Sequence, residues 1–239
     1  MSSATRPRPV FIAALPREIA GLVHGWRADE TLPGRGIHLY WNEDAVVACA
    51  GMGAERAALA VEAALALGPV SELVSVGWAG ACNGQLRTGD IVHADIVVDA
   101  KTGERYFSAR NRGKDEDPRI VVTVGAVAGV REKQRLGESY NACAVEMEAA
   151  TVARMARARE LPFYAIKSIS DGARFELPAL ARFSTPDGQF REAAFGMYVA
   201  LRPALWKPVL SMAKASKLSA GRLQAEIKAH IERQGKRNL

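Results

Sequence analysis

The sequence predicts an α/β fold, a single three-layer α/β/α domain around a central twisted sheet that is mostly parallel or mixed. Short apolar runs of strand length alternate with Ala/Leu/Glu-rich stretches of helical propensity. The runs are continuous rather than alternating, as expected of strands covered on both faces. Pro and Gly are scattered, and no Ser/Gly linker, low-complexity block or 20–50-residue repeat divides the 239 residues, of which 49% are hydrophobic. That length and apolar content supply one full core.

The run from Val10 to Leu15 stops at Pro16, as a buried first strand does, and leaves Arg17 and Glu18 at its exit. Ala45 to Ala50 is a second strand ending in Gly51-Met52-Gly53, and Ala54 to Leu67 is the helix after it. Leu73 to Gly77 is the next strand, with Trp78-Ala79-Gly80 at its end. Ile91 to Val98, Ile120 to Val124 and Phe163 to Ile169 complete the strands, with a helix from about Met147 to Arg159 before the last. The expected organisation is a flexible N-terminus over 1–9, the α/β domain over 10–212, and a C-terminal helix over 213–239.

The formal charge is +6, yet most basic residues do not cluster, which argues against a nucleic-acid surface. The exception is the tail. There Lys214, Lys217, Arg222, Lys228, Arg233, Lys236 and Arg237 accompany Leu223, Ile227 and Ile231 at helical spacing. Such a basic amphipathic helix either packs on the body with a solvated outer face or touches an anionic membrane surface. No apolar stretch approaches the roughly 20 residues that cross a bilayer, and no signal-peptide pattern opens the chain, so a cytoplasmic protein is expected, with the inner membrane surface as a further location. Cys49, Cys82 and Cys143 lack CxxC spacing, and His24, His38, His93 and His230 lie far apart; neither a disulfide framework, a metal nor a cofactor is predicted.

Two acidic sites fall where an open α/β sheet binds ligands, outside the carboxyl ends of its strands. One is Val145-Glu146-Met147-Glu148 at a helix entrance; the other is Ser170-Asp171-Gly172 after the last strand. Each has a plainer explanation, as helix-dipole partners or a turn aspartate. Gly51-Met52-Gly53 lacks the third glycine of a dinucleotide fingerprint and is by itself a tight turn. Together the carboxylates suit cleavage of a purine N-glycosidic bond, which builds positive charge on the ribose while the base departs with an electron pair. Asp171, as a carboxyl held protonated, is the candidate acid for the purine N7, with Ser170 to hold or polarise it. Glu148 would accept the ribose 2′ and 3′ hydroxyls, with Met147 against the sugar face. In a helix only one of Glu146 and Glu148 points at the ligand.

The order of these pieces resembles the purine and uridine phosphorylase superfamily, especially its methylthioadenosine/S-adenosylhomocysteine nucleosidases. The resemblance runs from about Val10 to Ala173. Ala14 to Glu18 is similar to an Ala-Met-x-x-Glu segment, Gly51-Met52-Gly53 to a Gly-x-Gly turn, and Val76 to Gly80 to Gly-Ser-Ala-Gly. Thr88 to Val92 is similar to Val-Gly-Asp-Ile-Val, and Val145 to Glu148 with Ile169 to Asp171 close the pattern. The resemblance implies Glu18 as the base that activates water, Glu148 as the ribose ligand by motif register, and Trp78 and Gly80 beside the substrate. It implies Ala126 and Val127 near the base, where they replace an aromatic landmark. Phosphate in place of water is the alternative, with Arg17, Arg56 and Gly53 as its candidate ligands; Ser75 where phosphorylases carry a second arginine, and the bulky Trp78, weigh against it. A homo-oligomer is implied as well. So is, through the hopanoid-associated branch, a lipid-linked adenosine substrate that would make sense of the basic, Trp-bearing tail. A nucleoside-binding protein without turnover is the remaining alternative.

Overall fold

Eleven strands among the described residues form one hydrogen-bonded sheet. The computed structural model describes residues 6–110, 117–175, 183 and 192–237. The N-terminal expectation over 1–9 falls largely outside them.

The sheet is built around β1 (Arg8–Ala13), with β4 (Val46–Cys49) parallel on one side and β5 (Val70–Ala81) parallel on the other. Beyond β4 lie β3 (His38–Trp41) and β2 (Arg27–Ala28), both paired antiparallel. On the far side of β5, β10 (Ala142–Glu146) is followed by β9 (Ile120–Thr123), β7 (Ile96–Asp99) and β8 (Arg105–Phe107). β11 (Phe163–Asp171) branches from β5 and carries β6 (Ile91–His93) on its other edge.

Alternation along β1 explains the layers, since successive side chains leave opposite faces of a strand. Val10 and Ile12 pack with Ala57, Ala60 and Val61 of α2 (Ala54–Leu65) and Val152 and Ala156 of α4 (Ala149–Arg157). Phe11 and Ala13 pack on the other face with Ile19 of α1 (Pro16–Ile19) and Leu223 and Ile227 of α6 (Trp206–Arg237). The mixed sheet with helices on both faces is the architecture predicted.

Four details differ from expectation. β5 runs through Trp78-Ala79-Gly80 to Ala81, because β11 pairs with it from Leu73 through Gly80; cross-strand pairing overrides the turn preference of the glycines. At Gly80 β5 forks, pairing with Asp171 of β11 and Val145 of β10. The single strand expected over Ile91 to Val98 is two, because Ala94 and Asp95 turn the chain from β11 to β9, with the Asp95 carboxylate accepting the Arg119 N–H at 2.9 Å. The helix expected from Met147 starts at Ala149, since Glu146 still belongs to β10.

α6 is one helix of 32 residues and continues through residue 213 without a break. Its second half is fixed to the body. Ser219 Oγ donates to the Ile169 carbonyl at 2.6 Å, Gln224 Nε2 to the Glu18 carbonyl at 3.0 Å, and Gln234 Nε2 to Glu72 Oε2 at 2.7 Å. His230 lies 2.6 Å from Glu72 Oε1. The first half, with α5 (Glu192–Ala200), packs around Phe175, Phe183 and Phe195 in a small satellite cluster.

Candidate active site

The ends of β1, β5, β10 and β11 bring together Glu18, Glu146, Glu148 and Asp171 with two lysines not anticipated from the sequence, Lys133 and Lys167. All but Asp171 are nearly or fully buried.

Glu18 owes its place to the turn after β1. Pro16 sets the first helical φ of α1, and Glu18, two residues on, folds back as a capping glutamate. Its Oε2 accepts the Ala14 and Leu15 N–H groups, each at 3.0 Å, and its Oε1 accepts the Trp78 N–H at 3.1 Å. Burial nevertheless pushes its carboxyl above the usual range, against those amides and the charge of Lys167. Gly77 is required opposite. Its φ is +138°, and a Cβ there would lie 3.2 Å from both Glu18 oxygens.

Glu146 and Glu148 divide as extended backbone followed by a helix start demands. Glu146 faces inward: Oε1 accepts the Thr123 hydroxyl at 2.5 Å, and Oε2 accepts the Glu148 and Ala149 N–H groups at 3.0 and 2.9 Å, capping α4. Glu148 turns the other way and accepts the Gly53 N–H at 2.7 Å. Burial first, and the neighbouring Glu146 second, push the Glu148 carboxyl up to about 8, with Lys167 and the Gly53 amide opposing. Met147 is half-buried, its methyl 4.0 Å from where a Cβ on Gly53 would stand.

Lys167 is fully buried in β11 and holds Glu146 Oε2 at 2.9 Å and Ser75 Oγ at 2.9 Å. One buried ammonium therefore lies among Glu18, Glu146 and Glu148. Its signal in the sequence was a lysine between Ile166 and Ile169 in an otherwise apolar strand.

Asp171 stands at the mouth of the site, its side chain 26% exposed. Its Oδ1 accepts the Ser170 hydroxyl at 2.6 Å, the contact expected of Ser170. Its Oδ2 is in an ion pair with Lys133 of α3 (Val130–Tyr140), a partner the sequence did not suggest beside the carboxyl expected to be held protonated. Gly80 makes this possible: a Cβ there would lie 2.8 Å from Lys133 Cε and 2.9 Å from Asp171 Oδ2.

Trp78 joins the site through its amide and its ring. The indole N–H is buried without a hydrogen-bond partner among the described residues, and the exposed Arg17 guanidinium stacks 5.1 Å from the ring centroid. Arg56 lies in the first turn of α2, directly after Gly53. Ala126 and Val127 are exposed on the loop between β9 and α3, and no described contact joins them to the carboxylates. Beside the Glu18 turn runs an open groove of about 550 Å³ lined by Leu15, Pro16, Gly34, Arg35, His38 and Gly51. Burial pushes the Cys49 and Cys82 thiols up to about 12 and Cys143 to about 11, which makes them poor nucleophiles. Among the described residues, no group of three or more His, Cys, Asp or Glu side chains could hold a metal ion.

The family model for the phosphorylase superfamily matches residues 10–120 and 117–194. The chain belongs to the phosphorylase superfamily. Its class is accordingly that of a nucleosidase or phosphorylase. Solved structures agree in fold. A 5′-methylthioadenosine/S-adenosylhomocysteine nucleosidase superposes with a TM-score of 0.67 at 15% identity, over 95% of this chain and 96% of its own. Helicobacter pylori futalosine hydrolase gives 0.62 at 17%, covering 93% and 98%. A point mutant of the H. pylori methylthioadenosine nucleosidase, with 5′-methylthioadenosine in its active site, gives 0.62 at 16%, covering 94% and 99%. No curated protein matches the chain.

Proposed function

We propose that this member of the superfamily hydrolyses the N-glycosidic bond of a 5′-substituted purine nucleoside, with adenine as the base and water as the nucleophile. The observation that carries the choice of water is the charge count of the buried floor: Glu18, Glu146 and Glu148 share one ammonium, Lys167. A phosphate dianion brought there would meet the acceptor oxygens of three carboxyl groups with one ammonium among them, whereas a neutral water needs one of those carboxyl groups as a base. Glu18 is that base, since three backbone amides aim it and burial raises its proton affinity above that of an ordinary carboxylate.

Glu148 binds the ribose hydroxyls, with Met147 against the sugar face. Asp171 serves the purine, Ser170 orients it, and Ala126 and Val127 border the base. The unpartnered Trp78 indole N–H offers a donor to a ligand oxygen. The groove beside Leu15 and Gly51 takes the 5′ substituent. A phosphorolytic reading rests on Arg17, stacked over Trp78 on the same turn as Glu18, with Arg56 and the Gly53 amide as further anion ligands.

The test is release of base from methylthioadenosine, S-adenosylhomocysteine, adenosine, inosine and futalosine, with and without phosphate, the sugar product identified by chromatography. Free sugar without phosphate supports hydrolysis. A sugar 1-phosphate formed only with phosphate refutes it, and release from none of them leaves a nucleoside-binding protein or a lipid-linked substrate.

The proposal includes an anionic lipid surface as partner. Between Glu192 and Glu226 the sequence contains no Asp or Glu. That stretch exposes Met197 (69%), Leu201 (75%), Trp206 (50%) and Leu210 (62%) beside the exposed Arg202, Lys207, Lys214 and Lys217. Apolar side chains among cations suit anionic headgroups, and the like charge disfavours a second copy on this face. Co-sedimentation with phosphatidylglycerol vesicles but not with pure phosphatidylcholine is expected, and binding to neither refutes it. The homo-oligomer belongs to other faces, and light scattering measures its size.

A further inference from the structure

An enzyme that expels a purine has to hand it a proton, and Asp171 has none to spare. Both of its oxygens face donors, Ser170 Oγ on one and the Lys133 ammonium on the other. The proton next to Asp171 therefore sits on Lys133.

The burial of Lys133 follows from its helix. α3 is polar along most of its length, and Lys133 shares its inward stripe with Leu136, the only other buried side chain of that helix. The Lys133 side chain is 3% exposed, and its Cε occupies the space that Gly80 leaves open. An ammonium has three donors and no acceptor. Here all three are used: on Asp171 Oδ2, on the Gly172 carbonyl at 3.1 Å and on the Phe175 carbonyl at 3.3 Å. Lys133 thus has no donor left for a substrate, and Asp171 stands between it and the mouth of the site.

Resting on the hydrolytic reading above, we infer that Lys133 is the proton reservoir of the reaction and acts through Asp171. As the C–N bond breaks, its electron pair moves onto the base. An N–H bond of Lys133 breaks and its proton moves to the Asp171 carboxylate, and the carboxyl so formed gives that proton to the purine N7. Asp171 ends as it began, Lys133 is left as a neutral amine, and water restores its proton. The attacking water gives its own proton to Glu18, so the two ends of the site exchange one proton each with solvent per turnover. Lys133 is a positioning residue in contact terms, since it reaches the base only through Asp171.

A clamp that merely holds the 172–175 loop predicts something different, and two variants separate the two. Lys133→Arg keeps the charge and the donors but cannot release a proton at working pH. Lys133→Met removes both. Base release from a purine nucleoside is compared with hydrolysis of 4-nitrophenyl β-D-ribofuranoside, whose leaving group departs without protonation. Both variants should lose at least about 100-fold in kcat on the purine nucleoside. Lys133→Arg should keep the nitrophenyl activity within about threefold and lose the alkaline limb of the wild-type kcat–pH profile.

Purine activity near wild type in Lys133→Arg overturns the inference, as does an equal loss on both substrates. Should Lys133→Met fail to fold or the nitrophenyl riboside be refused by wild type, the arginine variant's purine rate and pH profile decide alone. Wild-type protein that releases base from none of the soluble nucleosides overturns the hydrolytic reading for them, and this inference with it.

Discussion

Replacing Glu148 by Gln should make the protein more stable at pH 8 and leave it almost unchanged at pH 5. In the folded chain the Glu148 carboxyl is lifted from its ordinary 4.5 to about 8 by burial and by Glu146. Between those pH values the folded state holds a proton that the unfolded state has released, so stability must fall as pH rises, by at most about 1.4 kcal/mol per pH unit. The full interval bounds the effect at roughly 5 kcal/mol. Water entry and relaxation around a buried carboxylate reduce this to an expected ~2–4 kcal/mol. Glutamine mimics the protonated form, because its amide oxygen can still accept the Gly53 N–H that Glu148 accepts at 2.7 Å. Urea unfolding of both proteins at pH 5, 6, 7 and 8 measures the difference directly. Curves that coincide at pH 5 and diverge towards pH 8, with the variant above, are the expected outcome. Parallel curves would refute the argument, because the carboxyl would then titrate alike in both states.

Lys167→Met removes the one ammonium from among three buried carboxylates and should destabilise by about 3–5 kcal/mol at pH 8; the deficit shrinks at pH 5, where those carboxylates can take up protons instead, and differential thermal unfolding at the two pH values checks it. Gly77→Ala places a Cβ 3.2 Å from both Glu18 oxygens on a backbone with φ +138°, so a loss of about 1–3 kcal/mol is expected together with a fall in kcat larger than any change in KM. Leu223→Ala, fully buried in the half of α6 fixed to the body, should cost about 2–5 kcal/mol. Leu210→Ala, exposed in the other half, should stay within about 0.5 kcal/mol while weakening vesicle binding.

The strands with unbroken apolar runs were legible because burial on both faces leaves a simple signature; β1 and β4 are examples. β5 was cut short because Gly77 and Gly80 carry the signature of a turn, whereas here they are glycine so that Glu18, Lys133 and Asp171 can approach the strand. α3 was invisible for the opposite reason. Its sequence, Val-Arg-Glu-Lys-Gln-Arg-Leu-Gly-Glu-Ser-Tyr, offers few apolar residues to set a period. At the site, Glu148 and Asp171 could be read from position and chemistry. Their partners could not, since a lysine in a polar helix or at mid-strand has no local feature that announces a counter-ion 38 or 21 residues away. Pairings of that length belong to topology.

The charge arrangement around Lys167 also constrains how this protein can change over generations. Glu18, Glu146, Glu148 and Lys167 come from three separate stretches of the chain, yet a change of charge at one shifts the balance felt by the others. Glu148, already held protonated, can become glutamine without upsetting the fold, whereas loss of the Lys167 charge is expected to persist only beside a compensating loss at Glu18 or Glu146, so these three positions should drift together or stay fixed together. Neighbouring surface positions, such as Arg135 and Glu132 on α3, are free to vary one at a time. Inheritance thus treats scattered residues as a single character.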